Sequence, residues 1–138
     1  MKKDAIAKFI SLAATKTDLE RLHFQRLRHR QQQKLQKADD LTHQAKAAMT
    51  GSAARKDLSS SVAAEKFRSQ LVLKAKREII SAEQMTPQLS GQKQRLAQSL
   101  RYEQAWRALH TKAVEAARKK SNEHEERRQE ALHLNKIS

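Results

Sequence analysis

Along the first third of the chain apolar residues return in steps of three and four. They fall at Ile6, Phe9, Ile10 and Ala13, then at Leu19, Leu22 and Leu27, then at Leu35, Ala38, Leu41, Ala45 and Ala48. That spacing is one face of an α-helix. It predicts a long helix over about residues 4–49, with Asp4 and Lys8 as a supporting acid-before-base pair one turn apart. Between Leu27 and Leu35 the stretch RHRQQQK has no apolar member, so an uninterrupted zipper is not expected there. Thr50-Gly51-Ser52 predicts a stop, because glycine ends helices readily.

A tip segment follows over about residues 50–91. Its own helix is expected at 62–85, with Phe67, Leu71, Ala75, Ile79 and Ala82 as the stripe. Val72, Leu73 and Ile80 widen that stripe, so this helix is expected to contact something on more than one side. Thr86-Pro87 and Ser90-Gly91 punctuate its end, and the sequence leaves open whether residues 50–61 and 86–91 are ordered. A second long helix is predicted over about residues 92–134. There Leu96, Leu100, Tyr102, Trp106, Leu109, Ala113 and Ala116 carry the spacing. Past Ala117 the run RKKSNEHEERRQE is wholly polar.

The two outer helices are similar in length, and a long helix with one apolar stripe needs a partner. The expected fold is therefore all-α: a single domain over 1–138 forming an elongated antiparallel helical hairpin, a two-stranded coiled coil with a helical or irregular tip. Its core candidates are Leu19, Leu22, Leu27, Tyr102, Trp106, Leu109 and Ala113.

Composition sharpens this picture. With two glycines and one proline in 138 residues, the chain lacks the turn residues of a β-rich fold. Only 4% of residues are aromatic while 32% are charged, a balance that also favours disorder and makes folding on a partner an open alternative. The net charge is +14. Lys and Arg against Asp and Glu number 11 and 5 over residues 1–50, 7 and 4 over 51–91, and 11 and 6 over 92–138. The excess is spread along the chain, unlike a basic nucleic-acid arm, and steers encounter with acidic surfaces.

Little in the sequence points to catalysis. There is no cysteine, which excludes a disulfide scaffold and a thiol nucleophile. The histidines, His23, His29, His43, His110, His124 and His133, show no HExxH or comparable ligand spacing. No phosphate loop or nucleophile elbow is present, and a thin hairpin offers no cleft in which to raise a carboxyl pKa. No enzyme activity, metal or cofactor is expected. The start, MKKDAIAKFISLAATKTDLERL, is broken by Lys8, Lys16 and Asp18, unlike a signal peptide. No apolar run is long enough to insert in a membrane. The cytoplasm is the expected location. Arg26, Arg28, Arg30 and Lys34 form a basic run with Phe24 as the only nearby ring, which disfavours nucleic acid as the partner.

In composition and pattern the chain resembles a family. The passages LAATKTDLERLHFQRLRHRQQQKLQKADDL and RYEQAWRALHTKAVEAARKKSNEHEERRQEALH are similar to the terminal helices of the stalk proteins of type III secretion, FliJ of the flagellar export apparatus and YscO of injectisomes. The resemblance implies a non-enzymatic coiled-coil stalk, peripheral to the secretion apparatus at the inner membrane. Its joined ends would bind the centre of a hexameric export ATPase and its other end would face the cytoplasmic domain of the export gate. Some family members also bind export chaperones. Hairpin geometry then makes Lys2, Lys3, Lys8, Lys119, Lys120, Arg127 and Arg128 a cationic end suited to an acidic ring lumen. It makes Phe67, Leu71, Val72 and Leu73 candidates for the gate contact. A coiled-coil scaffold of another assembly, or a basic helical nucleic-acid binder, remains an alternative.

Overall fold

The computed structural model describes residues 3–55 and 58–137, and within 51–55 and 58–60 the backbone alone. Three helices account for them: α1 (Lys3–Arg55), α2 (Leu58–Gln84) and α3 (Thr86–Ile137). There is no strand among the described residues. The fold is an all-α helical hairpin, as the spacing predicts.

The helix boundaries differ from those expected, and in one direction: helix continues where punctuation predicts a stop. Gly51 lies inside α1, which runs on to Arg55. A helical glycine costs about 1 kcal/mol relative to alanine, and the flanking Ala47, Ala48, Ala53 and Ala54 are the best helix formers available. The stretch 86–91, where a break between helices is expected, is helical too. A single residue, Met85, separates α2 from α3. Its N–H donates to the Ala82 carbonyl at 3.1 Å, and its own carbonyl accepts from Leu89 at 3.0 Å, opening the next helix. Pro87 thus falls in the first turn of α3, where its missing N–H removes no intrahelical bond. The tip helix begins at Leu58 rather than about 62, and the last helix at Thr86 rather than about 92. Lys56 and Asp57 lie outside the described residues.

The contacts group into two compact units. In the unit formed by residues 21–95, burial on α1 follows Phe24, Leu27, Gln31, Lys34, Ala38, Leu41, Ala45 and Ala48, in strict alternation of three and four. The facing chain answers with Ala64, Arg68, Leu71, Ala75, Glu78, Ala82, Met85, Leu89 and Gln92, in the same alternation and with no change of phase at Met85. Such a cadence is a coiled-coil seam. Interhelical bonds fix its direction. Gln31 donates to the Ala82 carbonyl at 3.0 Å, Lys34 to the Ser81 hydroxyl at 2.7 Å, and Lys37 pairs with Glu78 at 3.4 Å. As the position rises on α1 it falls on α2, so the helices are antiparallel.

The polar stretch RHRQQQK therefore does not interrupt this seam. Gln31 and Lys34 occupy it, and each finds a polar partner across it, which offsets part of the penalty for half-burying them. Among the described residues no fully buried side-chain N or O lacks a hydrogen-bond partner.

The other unit joins residues 1–20 to 96–138. Ile6, Ile10, Ala13, Thr17 and Glu20 continue the alternation on α1, facing Leu96, Ser99, Glu103, Trp106, His110 and Ala113 on α3. Phe9 stacks on Trp106 at 4.6 Å, and Tyr102 meets the same indole edge-on at 6.1 Å. Such arrangements are worth about 0.5–1.5 kcal/mol beyond the area they bury. Thr17 is the most deeply buried polar residue, 1% exposed. Its hydroxyl donates to the Ala13 carbonyl at 2.9 Å, which satisfies it within its own helix.

Several expected core residues are corrected by this frame. Leu19 and Leu22 are exposed, as are Tyr102 and Leu109, while Leu27, Trp106 and Ala113 are half-buried on the seam. Leu19 and Leu22 are large, but they stand off the alternation that Thr17, Glu20 and Phe24 complete. Phe67 and Ile79 on α2 are off it in the same way, and both are exposed.

Candidate functional site

Small side chains make up much of the buried seam, Ala13, Thr17, Ala38, Ala45, Ala75, Ala82 and Ser99, beside the larger Ile6, Leu71, Met85 and Gln92. Small seam residues let two helices approach closely. They also leave the larger apolar side chains pointing elsewhere, and those exposed side chains are the chemistry this chain presents.

Three surfaces follow. The first is the C-terminal part of α3. Every described residue from Glu115 to Ile137 is exposed. In its unit α1 contributes Lys3–Glu20 and α3 contributes Leu96–Ile137. Phe9 on Trp106 sets the register, and at one residue per residue Lys3 stands opposite a position near 112. The expected cationic end is corrected here. Lys3 and Lys8 are exposed on α1, but Lys119, Lys120, Arg127 and Arg128 lie past its first turn and not beside them. Lys2 lies outside the described residues. Those four cations are interleaved with Glu115, Glu123, Glu125, Glu126 and Glu130, so this stretch is close to charge-balanced. Leu132, Leu134 and Ile137 are 55%, 66% and 70% exposed near its end.

The second surface is apolar and belongs to the unit of residues 21–95. In coiled-coil lettering Gln31, Ala38 and Ala75 are a positions and Lys34, Leu71 and Glu78 are d positions. The e residues of an antiparallel pair then share one flank and the g residues the other. Leu35, Val72 and Ile79 are e residues, while Leu73 and Ile80 are f residues on the face of α2 turned away from α1. All but the half-buried Val72 are exposed. Of the expected partner-contact residues, Val72 falls on this flank and Leu73 on the outer face of α2. Phe67 is exposed on the opposite one. Leu71 is buried in the seam, 5% exposed, and is not available to a partner.

The third surface is the g flank of the same unit, and it is basic. Arg30, Lys37, Lys74 and Arg95 are g residues, with Arg26 and Arg77 beside them. One open depression there is lined by Lys37, Leu41, Lys74, Arg77 and Glu78, and another by residues that include His23 and Arg95. Among the described residues Asp40 is the only other carboxylate on that side, and it accepts from Gln36 at 3.1 Å.

Outside these surfaces the polar groups satisfy one another locally. Arg68 donates to both carboxylate oxygens of Glu65, at 2.6 and 3.1 Å. That hydrogen bonding holds the Glu65 carboxyl below its ordinary 4.5 and raises the guanidinium. Arg107 pairs with Glu103 at 2.9 Å. Among the described residues no group of three His, Cys, Asp or Glu side chains could hold a metal ion. No described helix is long and apolar enough to cross a membrane.

Fold and surfaces together define an all-α helical-hairpin protein with an apolar and a basic flank. Comparison with protein-family models, with curated proteins and with solved structures finds no match for this chain.

Proposed function

We propose that this chain is a non-enzymatic coiled-coil stalk of a type III protein export apparatus, acting in the cytoplasm at the inner membrane. In this reading its terminal helical segment enters the centre of a hexameric export ATPase. The unit of residues 21–95 offers Val72 and Leu73 to the cytoplasmic domain of the export gate or to an export chaperone. The observation that carries the reading is the segment 115–137, helical with every side chain exposed. Most helical stability in proteins comes from tertiary packing, which this segment lacks, and a ring lumen supplies contacts on every side at once. Charges of both signs around the segment fit a polar lumen better than an apolar groove. The family resemblance of the terminal sequences supports the same partner.

The test is co-purification of the full chain with the hexameric export ATPase and measurement of ATPase assembly and turnover. Deleting residues 115–137 is expected to abolish binding. Reversing Arg127 and Arg128 to Glu is expected to weaken it about tenfold at low salt, as for a partly exposed charge pair at an interface. Wild-type binding by the deletion variant would remove the reading. The isolated chain is expected to hydrolyse no ATP.

A second reading, attachment to a nucleic-acid backbone, draws on the basic g flank. It requires affinity for random duplex that falls steeply with salt and that is lost when Arg30, Arg77 and Arg95 are reversed.

A further inference from the structure

The coiled-coil lettering extends into the unit of residues 1–20 and 96–138. There Ile10, Thr17, Glu103 and His110 are a positions, and Ala13, Glu20, Ser99 and Trp106 are d positions. The neighbouring g and c positions carry a second pattern. On α1 they are Phe9, Leu12, Lys16 and Leu19; on α3 they are Tyr102, Ala105, Leu109 and Lys112. Each set repeats the three-four spacing of a seam, yet every member is exposed, Leu12 and Leu19 at 66% and 62%. Phe9 and Tyr102 meet the same indole, Trp106, from the two helices, so the two stripes lie on one flank.

Charge divides around this flank over residues 3–20 and 96–113. Lys16 and Lys112 stand within the stripes. Arg101 and Lys8 (one turn from Asp4) are f residues on their outer edge. Among the described residues there, Glu20 is the only carboxylate on this side, and it is half-buried in the seam. On the other flank Asp4, Asp18 and Glu103 outnumber Lys3 and Arg107. Positive charge and exposed apolar surface therefore share one side.

We infer that this flank receives an acidic amphipathic helix of a partner protein, packed as a third strand in the groove between α1 and α3. Two stripes with seam spacing accept interdigitating side chains from a third helix. An extended segment fits worse. Both walls are helices whose backbone groups are already bonded, so its own N–H and C=O groups would be covered without partners. The stripe from Phe9 to Leu19 is about 15 Å long, so about three turns of helix cover it. Tyr102 and Trp106 supply rigid aromatic anchors of the kind that dominate interface energetics. Aspartate or glutamate beside the partner's apolar positions meets Lys16 and Lys112 on the walls. A second copy fits worse, because a two-fold contact of this flank sets those lysines against lysines. Nucleic acid fits worse as well, since leucine offers a base neither a stacking ring nor a hydrogen bond. The inference does not use residues 115–137, so it stands apart from the stalk reading.

The experiment titrates the full-length chain with a synthetic helical peptide of about five turns, long enough to hold some helix in water. The peptide carries leucine in three-four spacing, glutamate on both sides of that stripe, and no aromatic residue. Trp106 is the only tryptophan of the chain and lies beneath the flank, so its emission reports docking there. A saturable blue shift is expected, with a Kd of about 1–100 µM as for a small interface. Raising the salt from about 0.15 to about 0.5 M should weaken it several-fold. A peptide with lysine in place of every glutamate should bind at least about tenfold more weakly. Leu12→Gln with Leu19→Gln is expected to raise the Kd at least about tenfold through lost apolar contact. Both positions are exposed, and unchanged helicity by circular dichroism shows that folding is intact. Lys16→Glu with Lys112→Glu is expected to reverse the preference between the two peptides. Ile79→Gln with Ile80→Gln, on the exposed face of α2, should leave the Kd within about threefold. No shift at about 1 mM peptide, the weak limit of specific binding, would overturn the inference. So would equal binding of the two peptides, or a preference that survives the charge reversal. A shift produced by raising the protein concentration alone, and lost in the Leu12 and Leu19 variant, would give the flank to a second copy instead. Displacement of the peptide by a single-stranded oligonucleotide would give it to nucleic acid.

Discussion

Two layers of this hairpin solve one packing problem with opposite chemistry. In the unit of residues 1–20 and 96–138, the layer at Phe9 and Trp106 closes with stacked rings, and Tyr102 meets the indole edge. In the unit of residues 21–95, the layer at Gln31 and Lys34 closes with hydrogen bonds to the Ala82 carbonyl and the Ser81 hydroxyl. The first layer contributes affinity: it removes large apolar area from water and tolerates small slips. The second contributes selection. A seam amide or amine is satisfied in one register and stranded in its neighbours, so it costs stability in the native pairing and more in any other.

The comparison fails if the aromatic layer is not the stronger of the two. Trp106→Ala is expected to lower unfolding stability by about 2–3 kcal/mol in urea titration. That is below the range for a fully buried tryptophan because the ring is half-buried. A loss under about 0.5 kcal/mol would show that the rings decorate the pair rather than hold it.

Replacing Gln31 and Lys34 together by leucine should act with the other sign. Stability should rise by about 1–2 kcal/mol, as apolar area replaces a polar seam layer. Amide spectra of the double variant should then broaden or double as alternative registers become populated. Sharp single spectra with raised stability would mean that register is fixed elsewhere.

A smaller effect is expected at Gly91. It lies within α3 and is exposed, and an added Cβ would meet nothing within 4 Å. Gly91→Ala should stabilise by about 0.5–1 kcal/mol in thermal unfolding. Destabilisation would show that the junction after Met85 needs a flexible residue.

The smallest effect is the pH response of Glu65. Arg68 holds its carboxyl below 4.5 in the folded chain. The contribution is therefore present above the unfolded value and is lost as pH falls through the folded one. The wild-type advantage over Glu65→Gln should be small and constant above about pH 5.5 and should fade in acid below pH 4.5. An advantage that grows in acid would reverse the assignment.

Much of the fold was legible because helix is the default of a sequence with two glycines, one proline and abundant alanine. Glycine and proline were over-weighted as breakers. Gly51 and Gly91 sit inside helices, and Pro87 falls in a first turn, where it is tolerated. The seam is less legible because size is a poor mark of burial in this chain. Leu19, Leu22 and Leu109 are large and exposed; Thr17, Ala38 and Ser99 are small and buried. Strict three-four counting from Ile6 passes through Thr17, Glu20 and Gln31 to reach Ala45 and would have found the frame. The exposed breadth of α2 was anticipated from Val72, Leu73 and Ile80. The basic flank was not, because it joins residues from α1, α2 and α3 that are distant in sequence. Its signal appears only once Arg30 and Lys74 are given the same letter.

The unbroken cadence at Met85 has a geometric consequence. A seven-residue repeat falls short of two full helical turns, so helices that keep it must wind around each other with left-handed chirality. Leu35, Val72 and Ile79 then trace a spiral stripe rather than a straight ridge. Any molecule that covers them must follow the same handed path.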